Sequence, residues 1–410
     1  MGDERSAAAA APVRWSGLPP ELWAMIGRRL DSYTDILRFR SVCSTWRSLV
    51  PRLPRLPPPL SVPGSSATII PATVFRLEPS LETSPSSCPS SSRRGWLIKV
   101  SESNPDPVII SVSELEQDLD PEPEPEPESN SGKIRLLSPL CRLPILYKRR
   151  PFPGHLDLLK FRATELCREY ILQGAGEVEK VLISPTSPWR DPEDTVAIAI
   201  TKDGNLRYWK YGQESWTSIT DDRGEASRYD DIILYKGQFY VVDNLGTVSW
   251  IDSSMRVVQF SPPMCGGGSR KHLVESGGDI IVIDRYSDNY RNPRSGEAVN
   301  FRVYRLDQDW GKWDEIRNLG DMVFFLGTSC SFSVSVRDYD GCPGNCIYFL
   351  ERDIYIRVRE KMKVYVFSLG NRSIKRMASL PSYLRIMWPP PSWFNPIPCT
   401  LDPTVPIQMF

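Results

Sequence analysis

Three cysteines in the second half of the chain have side chains and spacing that could hold a metal ion. Cys342 and Cys346 are separated by three residues, and Cys330 lies upstream of them. Structural zinc needs four ligands, and His155 and His272 are the only histidines that could complete the set. Because Cys346 begins the apolar run CIYFL, where a thiol packs as a small apolar group, we predict buried thiols and no metal site. Redox chemistry is the other alternative for these thiols.

Two pairs of adjacent aspartates could supply the paired carboxylates of a glycosidase, Asp221–Asp222 and Asp230–Asp231. Adjacent positions on an extended chain point to opposite faces, however, and turns are rich in aspartate for backbone reasons. The chain contains no Gly-x-Ser-x-Gly, His-Glu-x-x-His or Gly-x4-Gly-Lys-[Ser/Thr] motif, and scarce histidine weakens general-base chemistry. We therefore predict no catalytic residue, no cofactor and no enzymatic activity of the isolated chain.

Composition narrows the class of protein further. The 410 residues carry 50 basic and 50 acidic side chains, so the bulk charge does not favour nucleic-acid binding. No run approaches the roughly 18 apolar residues of a membrane span, and the N-terminus lacks the long apolar segment of a secretory signal. The nine cysteines are expected to be free thiols in a reducing compartment. We predict a protein of the cytoplasm, the nucleus or both, with neither a membrane nor a nucleic acid as partner.

Changes in composition along the chain predict where its domains begin and end. A helical pattern stops at a run of prolines, low-complexity stretches interrupt a β pattern, and prolines dominate the C-terminal end. The predicted segments are a disordered N-terminus at 1–14, a helical domain at 15–51, a proline-rich linker at 52–64, a β domain at 65–388 with disordered insertions near 78–93 and 114–132, and a proline-rich tail at 389–410.

The β domain repeats a small unit of turn and strand. ILYKGQFYVVDNLGTVSWID (233–252) predicts three strands, the first two joined by a turn at Lys236-Gly237. GGDIIVIDRY (277–286) predicts a glycine turn followed by an alternating strand. The element Trp-x-x-Ile occurs at Trp216 and again at Trp313, 97 positions later, which is about two units of 45 to 50 residues.

This repeat predicts the class of the β domain. Units of four short strands with a recurring aromatic residue are typical of β-propeller blades, whereas a β-sandwich does not require a repeated unit. One or two β-sandwiches are the alternative. The predicted fold is therefore a small all-α domain of three helices followed by an all-β domain, a β-propeller of about six blades, within a range of roughly five to seven.

Residues 15–51 carry the helical pattern. Pro19 and Pro20 suit the first turn of a helix, and Ser32 with Asp35 has the form of a capping box at the start of a second helix. Three helices in so short a segment cannot bury all their apolar side chains among themselves. Either the β domain of the same chain or another protein must cover the remaining apolar stripe.

The order of residues in this segment resembles an F-box. It opens with Leu-Pro-x-Glu-Leu from Leu18 and closes with Val-Cys-x-x-Trp-Arg from Val42. The resemblance implies that the apolar residues pack on a Skp1-like adaptor, which connects the chain to the cullin and RING proteins of a ubiquitin ligase. The implied adaptor-binding residues are Leu18, Pro19, Leu22, Ile26, Leu30, Leu37, Phe39, Val42, Cys43 and Trp46.

The cysteine and the arginines of this helical segment could each have a role beyond helix formation. Cys43 is expected to be a small apolar filler rather than a redox switch, because no neighbour in sequence argues for a lowered pKa of its thiol. We expect the arginines of this segment to form solvated faces, and steering toward an acidic adaptor surface would be their second role. These arginines are Arg28, Arg29, Arg38, Arg40 and Arg47.

The remainder of the chain resembles a plant F-box subfamily, the DUF295 or KIB-type and SKIP-like F-box proteins, whose C-terminal domain is a Kelch-like β-propeller. The resemblance rests on phrases such as LYKGQFYVVD (234–243) and HLVESGGDIIVI (272–283), and most specifically on the run LGDMVFFLGTSCSFSVSVRDYDGCPGNCIYFLERD (319–353). The acidic Pro-Glu repeat departs from the pattern of the family. It is expected to be a solvated spacer, with contact to a basic partner as the alternative.

These features together predict the substrate-recognition subunit of an SCF-type (Skp1–cullin–F-box) E3 ubiquitin ligase. The helices would bind the adaptor and the propeller would bind an unidentified target protein, so that ubiquitin transfer becomes effectively intramolecular. Two alternatives stay open. One is an F-box protein that sequesters its partner without ubiquitination, and the other is a propeller lectin or enzyme.

Overall fold

The computed structural model describes most of the predicted helical and β domains. The described residues are 18–30, 32–50, 60–61, 68–79, 95–102, 134–140, 161–173, 178–186, 192–220, 227–264, 266–286, 299–307, 311–339, 342–352 and 362–376. The predicted N-terminal segment 1–14, the insertion 114–132 and the tail 389–410 lie outside the described residues.

Three helices occupy the N-terminal part, as predicted: α1 Pro20–Gly27, α2 Tyr33–Ser41 and α3 Ser44–Leu49. Pro19 is the N-cap of α1, and a proline at the first helical position costs no backbone hydrogen bond. Ser32 is the N-cap of α2, but its hydroxyl lies 2.7 Å from the Thr34 hydroxyl and bonds no backbone N–H. The predicted capping box is therefore not formed, since Asp35 instead accepts a hydrogen bond from Arg38 at 2.8 Å.

The other regular elements of the described chain are strands and short 3-10 turns at Pro192–Asp194 and Val336–Asp338. The strands are β1 Leu60–Ser61, β2 Thr68–Pro79, β3 Trp96–Glu102, β4 Ile134–Leu137, β5 Phe161–Gln173, β6 Val178–Ser184, β7 Val196–Thr201, β8 Leu206–Lys210, β9 Thr217–Ser218, β10 Tyr229–Tyr235, β11 Gln238–Asp243, β12 Val248–Ile251, β13 Val257–Gln259, β14 Arg270–Ser276, β15 Asp279–Tyr286, β16 Asn300–Asp307, β17 Lys312–Ile316, β18 Met322–Leu326, β19 Ser331–Ser335, β20 Cys346–Arg352, β21 Met362–Ser368 and β22 Ile374–Arg376.

The strands pair into successive groups along the chain. One sheet has the order β4-β3-β2-β5-β6-β7-β8-β9, with β1 paired to β2, and its two halves meet only where Tyr170 pairs with Val181. The other sheets have the orders β10-β11-β12-β13, β14-β15-β16-β17 and β19-β18-β20-β21-β22. The large sheet can be divided between β5 and β6, which are joined by that one residue pair. The described residues then form five groups of strands: β1–β5, β6–β9, β10–β13, β14–β17 and β18–β22.

Tight turns predicted from sequence set the register of these groups. Lys236 and Gly237 join β10 to β11 with φ of 50° and 79°, and Gly277 and Gly278 join β14 to β15 with φ of 63° and 86°. Positive φ at both central residues is the type I′ geometry that matches the twist of a hairpin. The predicted turn at Lys236-Gly237 is confirmed, and so is the predicted glycine turn followed by a strand at 277–286.

The repeated Trp-x-x-Ile element lies at equivalent places. Trp216 and Ile219 flank β9, the fourth strand of its group. Trp313 and Ile316 lie in β17, which is also the fourth strand of its group. The spacing of the two tryptophans therefore corresponds to two structural units, as the sequence predicts.

Hydrophobic clusters join neighbouring groups. Val181 of the second group and Ile232 of the third share one cluster, and Leu273 of the fourth group packs with residues of the third in another. Between the fourth and fifth groups, the rings of Phe301 and Phe349 lie with centroids 4.9 Å apart.

The last group packs on the first. Val74 of β2 shares a cluster with Phe325 of β18 and Tyr348 of β20, and the Gly95 amide donates to the Asp338 carbonyl at 2.8 Å. The groups thus close into a ring, which is the arrangement of a β-propeller rather than a β-sandwich. The predicted fold class is confirmed, and the predicted number of blades stays a prediction.

Two short segments that were expected to be linker or disordered insertion form strand structure instead. Leu60 and Ser61, in the predicted linker, form β1 and pair with β2. Glu78 and Pro79, at the start of a predicted disordered insertion, are the last residues of β2, because that strand pairs with β5 along its full length. No helix in the described part of the chain is long and apolar enough to span a membrane.

Candidate functional site

The helices and the strands lie in two separate compact units. Within the helical unit, Trp23 of α1, Phe39 of α2 and Trp46 of α3 form an aromatic core. The ring centroids are 3.9 Å apart for Trp23 and Trp46 and 4.5 Å apart for Phe39 and Trp46. Gly27 is needed where α1 approaches Val50, because a Cβ at this position would collide with the Val50 side chain. This core fixes which apolar side chains are left outside.

Four large apolar side chains of the helical unit are exposed, and we call them the exposed apolar surface. Leu22, Met25 and Ile26 of α1 are 40%, 54% and 38% exposed, and their i, i+3, i+4 spacing makes them neighbours on one face. Val42, where α2 meets α3, is 59% exposed. Side chains of this kind bind another protein by removing apolar area from water.

The structure divides the residues predicted to contact an adaptor into three sets. Phe39 is buried and its ring stacks on Trp46, so it supports the helical core, and its contact with an adaptor stays a prediction. The half-buried residues are Leu18, Leu30, Leu37 and Trp46. The exposed residues are Pro19, Leu22, Ile26, Val42 and Cys43.

Met25 belongs to the exposed apolar surface but is not among the predicted adaptor-binding residues. The resemblance implies Leu22, Ile26 and Leu30, which are spaced four residues apart, but α1 ends at Gly27 and Leu30 is half-buried beyond it. Met25 is three residues after Leu22 on the same helical face, and that spacing was the available signal.

Cys43 has a local structural role that differs from the predicted apolar filler. It is exposed, it adopts an extended conformation with φ of −161°, and it is the N-cap of α3. Its Sγ accepts a hydrogen bond from the Trp46 amide at 3.5 Å. The thiol therefore caps a helix end at the junction of α2 and α3.

The arginines of the helical unit do not all form solvated faces. Arg28, Arg29 and Arg47 are exposed, as predicted. Arg40 is half-buried and donates to the carbonyls of Arg47, at 3.0 Å, and of Val50. The Arg47 Nε returns a hydrogen bond to the Arg40 carbonyl at 3.2 Å, so this pair holds α2 against the end of α3.

In the propeller, the acidic pair Asp230–Asp231 connects neighbouring strand groups. Asp231 accepts hydrogen bonds from the Lys180 ammonium at 2.6 Å and the Leu273 amide at 2.9 Å, and Asp230 accepts from the Lys271 amide at 2.8 Å. Both carboxylates reach the backbone of β14 because a bulge interrupts the β10–β11 register at this point. The expectation that they point to opposite faces is wrong here. The other pair, Asp221–Asp222, lies outside the described residues.

Burial and charge set the protonation of this region. Burial raises the pKa of Asp230. Burial also disfavours the charged form of Asp231, but Lys180 and the hydrogen bonds to the carboxylate outweigh it and lower its pKa. Burial lowers the pKa of His272 to about 3, so its ring is neutral, and its Nε2 has no hydrogen-bond partner in the described part of the chain.

The cysteines predicted as buried thiols are buried, and all three lie in one hydrophobic cluster, where their sulfurs make different contacts. The Cys342 Sγ lies 3.5 Å from the Tyr348 hydroxyl, and the Cys346 Sγ donates to the Gly344 carbonyl at 3.1 Å. Cys330 instead contacts Cys167. Among the described residues, no group of three or more His, Cys, Asp or Glu side chains could hold a metal ion.

Comparison with known families accounts for both units. Residues 15–55 match the family model described as F-box-like, and residues 67–368 match the model described as KIB1-4 beta-propeller. The second match covers most of the chain and includes the strands β2–β21. The Kelch-like repeat and the DUF295 assignment stay predictions.

Relatives match over nearly their whole length. F-box protein SKIP23 of Arabidopsis thaliana is 29% identical over 93% of this chain and 96% of its own. F-box protein At2g26160 of the same plant is 33% identical over 82% of this chain and 95% of its own. A solved structure, a thermostable family-43 glycoside hydrolase, aligns over 47% of this chain and 69% of its own with 11% identity and a TM-score of 0.27, which is too low to support an argument.

Proposed function

The chain belongs to the F-box proteins that carry a KIB1-4 β-propeller, and from this we propose that it is the substrate-recognition subunit of an SCF-type ubiquitin ligase. The helical unit binds a Skp1-like adaptor, which connects it to cullin and RING proteins. The propeller binds a target protein and brings its lysines to the transferring enzyme. The chemistry belongs to the partner enzymes, and the chain itself acts as a non-catalytic bridge in the cytoplasm, the nucleus or both.

The exposed apolar surface is the observation that carries this proposal. Fully burying a side chain of this size contributes about 1.5–3 kcal/mol. The four residues are already about half covered, so they would contribute roughly 3–6 kcal/mol in gross terms. Association and ordering offset much of this gain, so the contact must also use half-buried neighbours such as Leu18 and Trp46.

The first test places charge on the exposed apolar surface. The double variant L22E/I26E changes two exposed residues of α1, and we expect it to weaken binding to a recombinant Skp1-like adaptor by about 100-fold or more, because desolvating a carboxylate in an apolar contact is costly. The measurement is a titration of adaptor against the full chain by calorimetry or surface plasmon resonance.

S48E is the matched control, because Ser48 is exposed and is neither part of the exposed apolar surface nor among the residues predicted to contact or steer the adaptor. We expect a change of only a few-fold. W46A would be a poor probe, since the Trp46 ring packs on Trp23 and its loss would damage the helical core. Full adaptor binding by L22E/I26E, with helical circular dichroism unchanged, would contradict the proposal.

A second assay addresses the ligase role. A target captured by the propeller should be ubiquitinated in a reconstituted ligase that contains the wild-type chain and not in one that contains L22E/I26E. A target that stays captured but unmodified in both would instead support the sequestering alternative.

A further inference from the structure

Two thiols meet where the ring of the propeller closes. Cys167 lies on β5 in the first strand group, and Cys330 lies between β18 and β19 in the last. Their sulfurs are 3.6 Å apart although the residues are 163 positions apart in sequence. A disulfide brings sulfurs to about 2.05 Å, so an approach of about 1.5 Å by side-chain rotation would join them.

The two thiols differ in access. Cys330 is buried, with 5% of its surface exposed, whereas Cys167 is half-buried. A small oxidant arriving from solvent would therefore meet Cys167 first. Oxidation at cysteine follows exposure and thiolate character, and it proceeds readily to a disulfide where a second thiol lies next to the first.

A buried carboxylate adjoins the pair. The Glu169 Oε2 accepts a hydrogen bond from the Cys330 thiol at 3.2 Å and from the Lys99 ammonium at 2.7 Å, and the side chains of Glu169 and Lys99 are fully buried. The hydrogen bond with Cys167 and burial raise the pKa of the Cys330 thiol well above its usual value. This thiol therefore needs a base next to it before its sulfur can attack, and Glu169 occupies that position.

We propose that Cys167 and Cys330 are a redox-active dithiol, which hydrogen peroxide converts to a disulfide that staples the first strand group to the last. In the first step, the Cys167 sulfur attacks peroxide. An S–O bond forms, the O–O bond breaks, and Cys167 becomes a sulfenic acid as one water leaves.

In the second step, the Cys330 sulfur attacks the Cys167 sulfur. The S–S bond forms and the S–O bond breaks. The Cys330 proton passes to Glu169 and then to the departing hydroxide, which leaves as a second water. Two thiols and one peroxide thus give one disulfide and two waters. Exchange with two cellular thiols returns the protein dithiol and leaves the cellular thiols joined as a disulfide. This inference goes beyond the proposed ligase role and does not depend on it.

The test uses the full chain, fully reduced and then treated with hydrogen peroxide. After alkylation of the remaining thiols in denaturant, non-reducing digestion and mass spectrometry should find the peptides of Cys167 and Cys330 linked, with the loss of two hydrogen atoms. In C330S the link should vanish, and a sulfenic acid on Cys167 should become trappable with dimedone. C346S is the matched control, because Cys346 is as buried as Cys330 and its thiol donates to the Gly344 carbonyl, and it should keep the wild-type yield of the link.

A stability measurement gives a second readout. Peroxide should raise the unfolding temperature of the wild type and of C346S, and it should leave that of C330S unchanged. The proposal would be overturned if Cys167 and Cys330 were both recovered alkylated after peroxide had oxidised the exposed Cys43, or if Cys167 formed links to other cysteines as often as to Cys330.

Discussion

His272 illustrates how a side chain of the propeller depends on its strand group. It lies on β14, where Asp231, Lys180, Arg270 and Arg285 supply the surrounding charges. Its Nε2 has no hydrogen-bond partner in the described residues. Burial is the largest influence on the ring and, with the nearby arginines, holds it neutral well below the pH at which a free histidine protonates.

This environment makes the stability of the propeller depend on pH. The pKa of His272 is about 3 in the folded chain and about 6.5 when unfolded, so the unfolded chain binds more protons between these values. The contribution of His272 to stability is complete above about pH 6.5 and is lost as the pH falls toward 3, by about 1.4 kcal/mol per pH unit. We expect His272 by itself to lower the free energy of unfolding by about 2 kcal/mol between pH 7 and pH 5.

The variant H272Q tests the assignment, because it removes the titrating ring and keeps a side chain of similar size. Urea unfolding at pH 7 and pH 5 should show a smaller difference in the variant than in the wild type, since the carboxylates titrate in both. Equal pH slopes for the two chains would rule out His272 as the cause.

At the scale of single residues, the sequence identifies which side chains carry charge, but it does not predict the direction in which they point after folding. The sequence identifies Asp230 and Asp231 as an acidic pair, but the bulge that turns both toward β14 depends on pairing with β11. The sequence predicts a solvated face for Arg40, but its side chain is held by carbonyls at the end of α3. Such contacts depend on elements that meet only after folding.

At the scale of elements, a glycine-rich loop illustrates how backbone approaches a buried charge. Gly266–Gly268 precedes β14 and surrounds the Asp284 carboxylate, which is buried and paired with the Lys271 ammonium at 3.0 Å. The Lys271 ammonium also donates to the Gly268 carbonyl at 3.0 Å. A side chain on Gly268 would therefore displace the Asp284 carboxylate, which forms a buried ion pair with Lys271.

This loop offers a matched pair of substitutions. A Cβ on Gly268 would lie 2.7 Å from the Arg285 carbonyl and would collide with the Asp284 carboxylate, whereas a Cβ on Gly267 would meet nothing within 4 Å. We expect G268A to reduce the free energy of unfolding by about 1–3 kcal/mol. G267A should change it by less than about 0.5 kcal/mol. Urea denaturation of the two variants measures the difference, and equal midpoints would show that the loop can shift at no cost.

Elements defined by local sequence were the most predictable part of the fold. The hairpins at Lys236-Gly237 and Gly277-Gly278 follow from turn chemistry between apolar runs. Prolines at the start of α1 and the apolar spacing of α2 likewise mark helices in the chain itself. The pairing of Leu60 and Ser61 with β2 was not predictable, because a two-residue strand carries no periodicity.

At the scale of the whole molecule, the ring closes through contacts between distant parts of the sequence. Arg76 pairs with Asp338, 262 residues away, and the Thr328 amide donates to the Leu140 carbonyl at 3.1 Å. A repeated unit predicts that blades exist, and only such contacts show that the last group meets the first. The proposed dithiol of Cys167 and Cys330 lies at this same junction.

Closure has a consequence for folding that a truncation can test. In an open solenoid each repeat contacts only its neighbours, so removing a terminal repeat leaves the others folded. In this ring the fifth group covers both Val74 of the first group and Phe301 of the fourth. A chain that ends at residue 316 lacks that group, and it should expose both faces.

We therefore expect the chain ending at residue 316 to lose its cooperative urea transition and its near-ultraviolet circular dichroism and to bind a hydrophobic dye. A chain ending at residue 376 keeps all the described strands and serves as the control; it should unfold cooperatively like the full chain. A sharp transition in the shorter chain would mean that four groups are stable without closure. The stability of the β domain would then come from neighbouring groups alone, as in a solenoid, and not from the ring.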